Sequence, residues 1–126
     1  MEGKPIEQVR ALWAAYTRGG VAAMREIAGD TLVEWVPLGE DDPVPAEQFW
    51  GEWGRRAAGE VSVTVHSFEE HGPYVLAHGS MRTFREGGFV DVQPSWVYFF
   101  RDGNLVRVAG YPTREAALEA IGREPG

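Results

Sequence analysis

Trp96-Val97-Tyr98-Phe99-Phe100 is apolar on both parities of a strand, whereas a strand with one wet face alternates. Both sides of this segment must be covered, so the chain needs a layered or curled sheet with something packed on each face. The layers can be read from the rest of the sequence. Ile6, Val9, Leu12, Trp13 and Tyr16 follow helical spacing after Pro5, and Gly19-Gly20 supply a stop. Val21, Met24, Ile27 and Ala28 then repeat the spacing up to Gly29. Leu32 to Val36 reads as a strand ended by Pro37, Gly39-Glu40-Asp41-Asp42-Pro43 as a loop, and Pro45 to Arg56 as a helix bearing Phe49, Trp50 and Trp53.

Beyond Gly59 the pattern changes to β-branched and aromatic runs separated by short turns. Val61 to Glu69, Tyr74 to Arg85, Phe89 to Arg101 and Leu105 to Ala109 read as four consecutive strands, with Asp102-Gly103 as a tight hairpin. Thr113 caps a last helix over Ala116 to Ile121, and a short tail ends the chain. Helices first and a meander later predict one α+β domain over residues 1–126, a curved antiparallel sheet wrapped around helices on one face. Those helices suffice for one face only, so the other, carrying Val97 and Phe99, is expected to meet a second copy in a homodimer. Pro94 lacks an N–H and is expected to mark a bulge that curls the sheet and opens a cavity.

Twelve basic against nineteen acidic side chains leave a formal charge of −7, which repels phosphate backbones and anionic lipid surfaces. Neither nucleic acid nor a membrane is an expected partner. No apolar run approaches a membrane span or a signal peptide, and with no cysteine there are neither disulfides nor thiolate chemistry, so a cytoplasmic location is expected. His66, His71 and His78 are not spaced as metal ligands, and Glu40-Asp41-Asp42 lacks the alternation of a calcium loop. No phosphate-cradling or dinucleotide motif occurs, so no metal and no cofactor is expected.

The order of elements resembles the nuclear transport factor 2-like superfamily, in particular its SnoaL-like branch. The pieces that carry the resemblance are Phe49-Trp50-Gly51-Glu52-Trp53, the hairpin from Tyr98 to Arg107 and the closing Arg114 to Gly122. It implies a cone-shaped α+β barrel with an internal pocket, commonly dimerised through the outer sheet face. Taking strand phase from ketosteroid isomerase, Leu76, His78, Ser80 and Arg82 on one strand and Pro94, Trp96, Tyr98 and Phe100 on the next point into the cone. Trp35, Tyr16, Phe49 and Trp53 join them from the first strand and the helices. Tyr16 matches the oxyanion-binding tyrosine of that enzyme, but Trp35 or Val36 stands where its base would be and Trp96 where its second acid would be, so that reaction is not expected. Limonene epoxide hydrolase needs an aspartate, arginine, aspartate set; Arg82 matches the arginine, but Phe84 follows two residues on.

On this reading His78 is the candidate acid/base, held neutral among aromatics, with a structural histidine bonded to Tyr98, Ser80 or backbone as the alternative. Arg82 is a candidate clamp for a carboxylate or, alternatively, the partner of Asp91 across the hairpin. Tyr16 is a candidate donor to a carbonyl, or a boundary tyrosine of its helix. Trp35, Phe49, Trp53, Ser80, Trp96 and Tyr98 are the candidate ligand contacts, while Trp13 and Trp50 read as core or dimer contacts. Ser80 has no glycine-flanked elbow and is no nucleophile. The expected function is binding of a small, largely apolar organic molecule, either with cofactor-free acid/base chemistry or as a non-catalytic ligand-binding or accessory homodimer. A third reading has the aromatics plugging the interior.

Overall fold

A computed structural model describes residues 4–57 and 59–123; of the tail expected from Arg123 to Gly126, Arg123 instead ends the last helix and 124–126 lie outside the described residues. The N-terminal helical spacing becomes α1, Pro5–Ala28, which buries Val9, Leu12, Trp13, Val21 and Met24. Gly20, at φ 73°, adopts a conformation that a side chain would strain, so it splits α1 into the two helical runs the spacing implied. β1 is Glu34–Val36, shorter than expected, and a two-residue β2, Val44–Pro45, pairs with it before α2, Ala46–Ala57. Then come β3, Val61–His71, β4, Tyr74–Arg85, β5, Gly88–Val92, β6, Ser95–Arg101, β7, Asn104–Tyr111, and α3, Arg114–Arg123. Asp102 and Gly103 both have positive φ, 52° and 81°, as the tight β6–β7 turn demands.

The sheet order is β2-β1-β7-β6-β4-β3, with β5 beside β4. One pair, β1 with β7, is parallel, so the sheet is mixed rather than purely antiparallel. The strand expected from Phe89 to Arg101 is divided. β5 pairs Val92 with Met81, and β6 pairs Ser95 with His78, in one continuous register along β4. Pro94 has no N–H to give, so it interrupts the ladder without shifting it, and its carbonyl accepts from the Gly79 amide at 3.2 Å. The bulge expected at Pro94 lies instead on β3, where pairing skips His66 between Val65 and Ser67, and a second irregularity sits on β7 opposite Phe99 and Phe100.

Inside the curl, α1 and α2 pack Val9, Leu12, Trp13 and Trp50 against Val75, Ala77, Trp96, Tyr98 and Val108. The outer side of the sheet is a separate apolar layer in which Val36, Leu76, Val97, Phe99 and Ala109 meet Ala117, Leu118 and Ile121 of α3. Val97 and Phe99 are therefore buried within one chain, 0% and 7% exposed. Both faces of β6 are covered as its composition required, but α3 does the covering on the side assigned to a second copy.

One ion pair fastens α3 at the end of β3. Glu69 accepts from Arg114 Nε at 2.7 Å and Nη2 at 2.6 Å, and His71 Nε2 lies 3.4 Å away. The Arg114 hydrogen bonds hold the Glu69 carboxyl below its ordinary value, outweighing partial desolvation. A depressed acid stabilises the fold above its unfolded value, 4.5, and loses that contribution as pH falls through the lower folded value. In denaturant titrations the gap between wild type and Glu69→Gln should thus be full at neutral pH and close below pH 4.5. A gap independent of pH would show that this pair does not act through charge.

Candidate functional site

The site grows from α2, where Phe49, Glu52 and Trp53 share one face at helical spacing. Trp35 of β1, 3% exposed, stacks on Phe49 with ring centres 3.9 Å apart and planes 11° from parallel. Trp53 stands edge-on to Trp35 at 5.8 Å and 6.0 Å from Trp13, which in turn lies 5.4 Å from Trp96. Trp13 is fixed by a buried hydrogen bond from its Nε1 to the Tyr98 hydroxyl at 2.8 Å. Burial pushes that hydroxyl far above the ordinary tyrosine value, so it stays neutral at any physiological pH. These rings form one wall of a cavity of about 360 Å³.

The facing wall is the concave end of the sheet: Val61 and Val63 of β3, Met81, Thr83 and Arg85 of β4, Val90 and Val92 of β5. The loop after β1 closes one side with Pro37, Leu38 and Glu40. The chemistry is therefore an apolar, ring-lined hollow with Glu40, Glu52 and Arg85 as its charged groups among the described residues. Of the lining indoles, Trp35 and Trp96 donate to no described protein group, whereas Trp13 does. A second hollow of about 700 Å³ lies between α1 and β3, bounded by Arg10, Tyr16, Thr17 and Phe68, and it shares Trp13 and Val63 with the first.

Trp35, Phe49, Trp53 and Trp96 come together at the cavity as the sequence suggested. Tyr98 faces inward but supports Trp13 rather than lining the space. Tyr16 faces the second hollow, stacked on Trp53 at 5.3 Å, and its hydroxyl is pushed up by partial burial against a weaker opposing backbone contact at Val63. The phase expected for β4 is reversed. Val75 and Ala77 sit opposite Tyr98 and Trp96, so the odd positions of β4 face inward and Leu76, His78, Ser80 and Arg82 face the outer side.

His78 thus lies away from the cavity, with Nδ1 2.8 Å from the hydroxyl of the fully buried Ser95. Ser80 pairs with His66 Nε2 at 2.8 Å. Arg82 forms a two-pronged pair with Asp91 at 2.8 and 3.0 Å and covers the Phe89 ring at 3.7 Å. Arg82 thus takes its structural alternative with Asp91, while His78 is held by Ser95 rather than by Tyr98, Ser80 or backbone, and His78, Ser80 and Arg82 do not form a catalytic set. Sequence reasoning passed over Thr83, Met81, Arg85 and Glu52, and it assigned Trp13 to the core or a dimer contact, whereas the Glu40-Asp41-Asp42 loop was expected near the cavity mouth. Glu52 had a signal, its place three residues after Phe49 on the same helix face; the β4 residues were hidden by the reversed phase.

No protein-family model matches the sequence, and no curated protein matches it. Solved structures do. A nuclear transport factor 2-like protein from Burkholderia thailandensis superposes at TM-score 0.73 with 18% identity, over 98% of this chain and 100% of its own. A protein from Jannaschia sp. assigned as a SnoaL-like polyketide cyclase gives 0.65 with 19% identity over 99% of each chain. TerC, co-crystallised with polyporic acid, gives 0.66 with 20% identity over 93% of this chain and 97% of its own. The fold is nuclear transport factor 2-like, an α+β cone of the kind that SnoaL-like proteins share. No helix among the described residues is long and apolar enough to cross a membrane.

Proposed function

We propose that this chain binds a small, largely apolar organic molecule with a flat ring body in the cavity between α2 and the concave sheet. The observation that carries this reading is the 360 Å³ space walled by Trp13, Trp35, Phe49, Trp53 and Trp96 on one side and aliphatic side chains on the other. That volume suits a molecule of two or three fused rings, and indole and phenyl faces stack well on such bodies. Among proteins of the same fold, one is crystallised with polyporic acid and another is assigned as a polyketide cyclase, which agrees with a small organic ligand. The reading is a binding one. Acid/base work on a bound molecule falls to Glu52 or Glu40, because His78, Arg82 and Tyr16 line other surfaces.

Calorimetric titration with 2-naphthylmethanol tests this. Wild type should bind saturably, Thr83→Trp should abolish binding by filling the space while keeping its urea midpoint, and His78→Ala should bind within about twofold of wild type, since its ring is on the other side of the sheet. Undiminished binding by Thr83→Trp would place the ligand elsewhere.

A further inference from the structure

The Glu40-Asp41-Asp42 run of the sequence finds a place beside the cavity, since Glu40 lines it from the loop after β1. Glu52 approaches from α2. Most carboxylates that meet an arginine in this fold do so away from the cavity: Glu34 with Arg107, Glu47 with Arg25, Glu69 with Arg114, Asp91 with Arg82. Glu40 and Glu52 are different. Among the described residues neither forms an ion pair, and Glu52 accepts only a long contact from the Gln48 amide at 3.4 Å. Arg85 is the single cation lining the same space among those residues, and two carboxylates outnumber it.

Two further observations bear on the occupant. The side chains of Trp35 and Trp96, 3% and 6% exposed, line the space, and neither indole N–H has a described acceptor. The same wall presents aromatic rings, whose negative faces attract a cation as well as stack on a ring. Carboxylates over low-dielectric aromatic walls concentrate a negative potential within the hollow.

Resting on the proposed binding function, we infer that the preferred ligand is an aromatic compound with a cationic head, a protonated amine or quaternary ammonium, its ring between Trp35, Trp53 and Trp96 and its charge toward Glu52 and Glu40. Arg85 limits the head to one positive charge.

Three probes of one shape and different charge test this by calorimetry: 2-naphthylmethylammonium, 2-naphthylmethanol and 2-naphthoate. The ammonium should bind about tenfold more tightly than the carboxylate. That preference should shrink to within about threefold in Glu52→Gln and in 0.5 M salt. Equal or tighter binding of the carboxylate, or a preference unmoved in both Glu52→Gln and Glu40→Gln, overturns the cationic ligand. If the alcohol binds but the ammonium has no advantage, the charge assignment alone fails. If none of the three binds, the cavity reading fails with it.

Discussion

Gly79→Ala should cost at least about 3 kcal/mol of stability, enough to leave a domain of this size largely unfolded or insoluble near physiological temperature. The reason is a close backbone approach. A Cβ built on Gly79 would lie 2.1 Å from the Thr64 carbonyl oxygen and 2.9 Å from the Val65 Cα, both main-chain atoms that cannot swing away. The approach arises because β3 carries its extra residue, His66, across from this point, and the bulged strand presses onto β4. Relieving the overlap means parting β3 from β4, which would dismantle the Val61 and Val63 wall of the cavity. Urea denaturation of the purified variant reads the loss directly. A midpoint near that of wild type would mean that the two strands are farther apart than the register implies.

Trp13→Ala should weaken binding strongly and also cost stability, with about 3–5 kcal/mol lost from removing a buried indole. Trp13 is 6% exposed and contacts the rings of Tyr16, Trp53 and Trp96, at centroid distances of 5.4, 6.0 and 5.4 Å. It also borders both hollows, so its loss merges them and withdraws support from Trp53 and Trp96. Tyr98→Phe is a milder probe of the same post. It strands the indole N–H in an apolar interior, for about 1–3 kcal/mol. Trp13→Phe added to Tyr98→Phe should then cost less than the two separate losses combined, since neither partner is left alone. Strict additivity in such a cycle would show that the hydrogen bond contributes nothing.

The sequence read well wherever composition alone decides structure. The break at Gly19-Gly20, the α2 face with Phe49 and Trp53, the Asp102-Gly103 turn and the two-sided burial of β6 all follow from local chemistry. What failed was the phase of β4. Its first residues, Val75, Leu76 and Ala77, are each 0% exposed, so this half of the strand is apolar on both sides and carries no parity signal. From His78 onward the alternation was legible: His78, Ser80 and Arg82 are the polar set, Met81 and Thr83 the less polar one. Phase taken from resemblance turned the polar set inward, whereas burying an imidazole and a guanidinium without partners is unfavourable and the chain places them outside. The same limit applies to α3. Ala117, Leu118 and Ile121 were visible as a helix, but helical spacing does not say which sheet face the helix will cover. Register likewise depends on which strands become neighbours, and Thr83 and Arg85 reached the site only through it.

The parallel seam between β1 and β7 ties Glu34 to Arg107 and Val36 to Ala109, partners about seventy positions apart along the chain. Everything from β3 to β7 pairs by short hairpins and can zip locally, but this seam cannot form until the last strand has been made. During synthesis the N-terminal third must therefore wait, with Trp35 and the α2 rings uncovered, until the C-terminal meander is in place to receive it. The aromatic wall of the pocket is then among the last surfaces to be shielded from other chains. Slowing translation after β6 should accordingly lower soluble yield more than slowing it after β7.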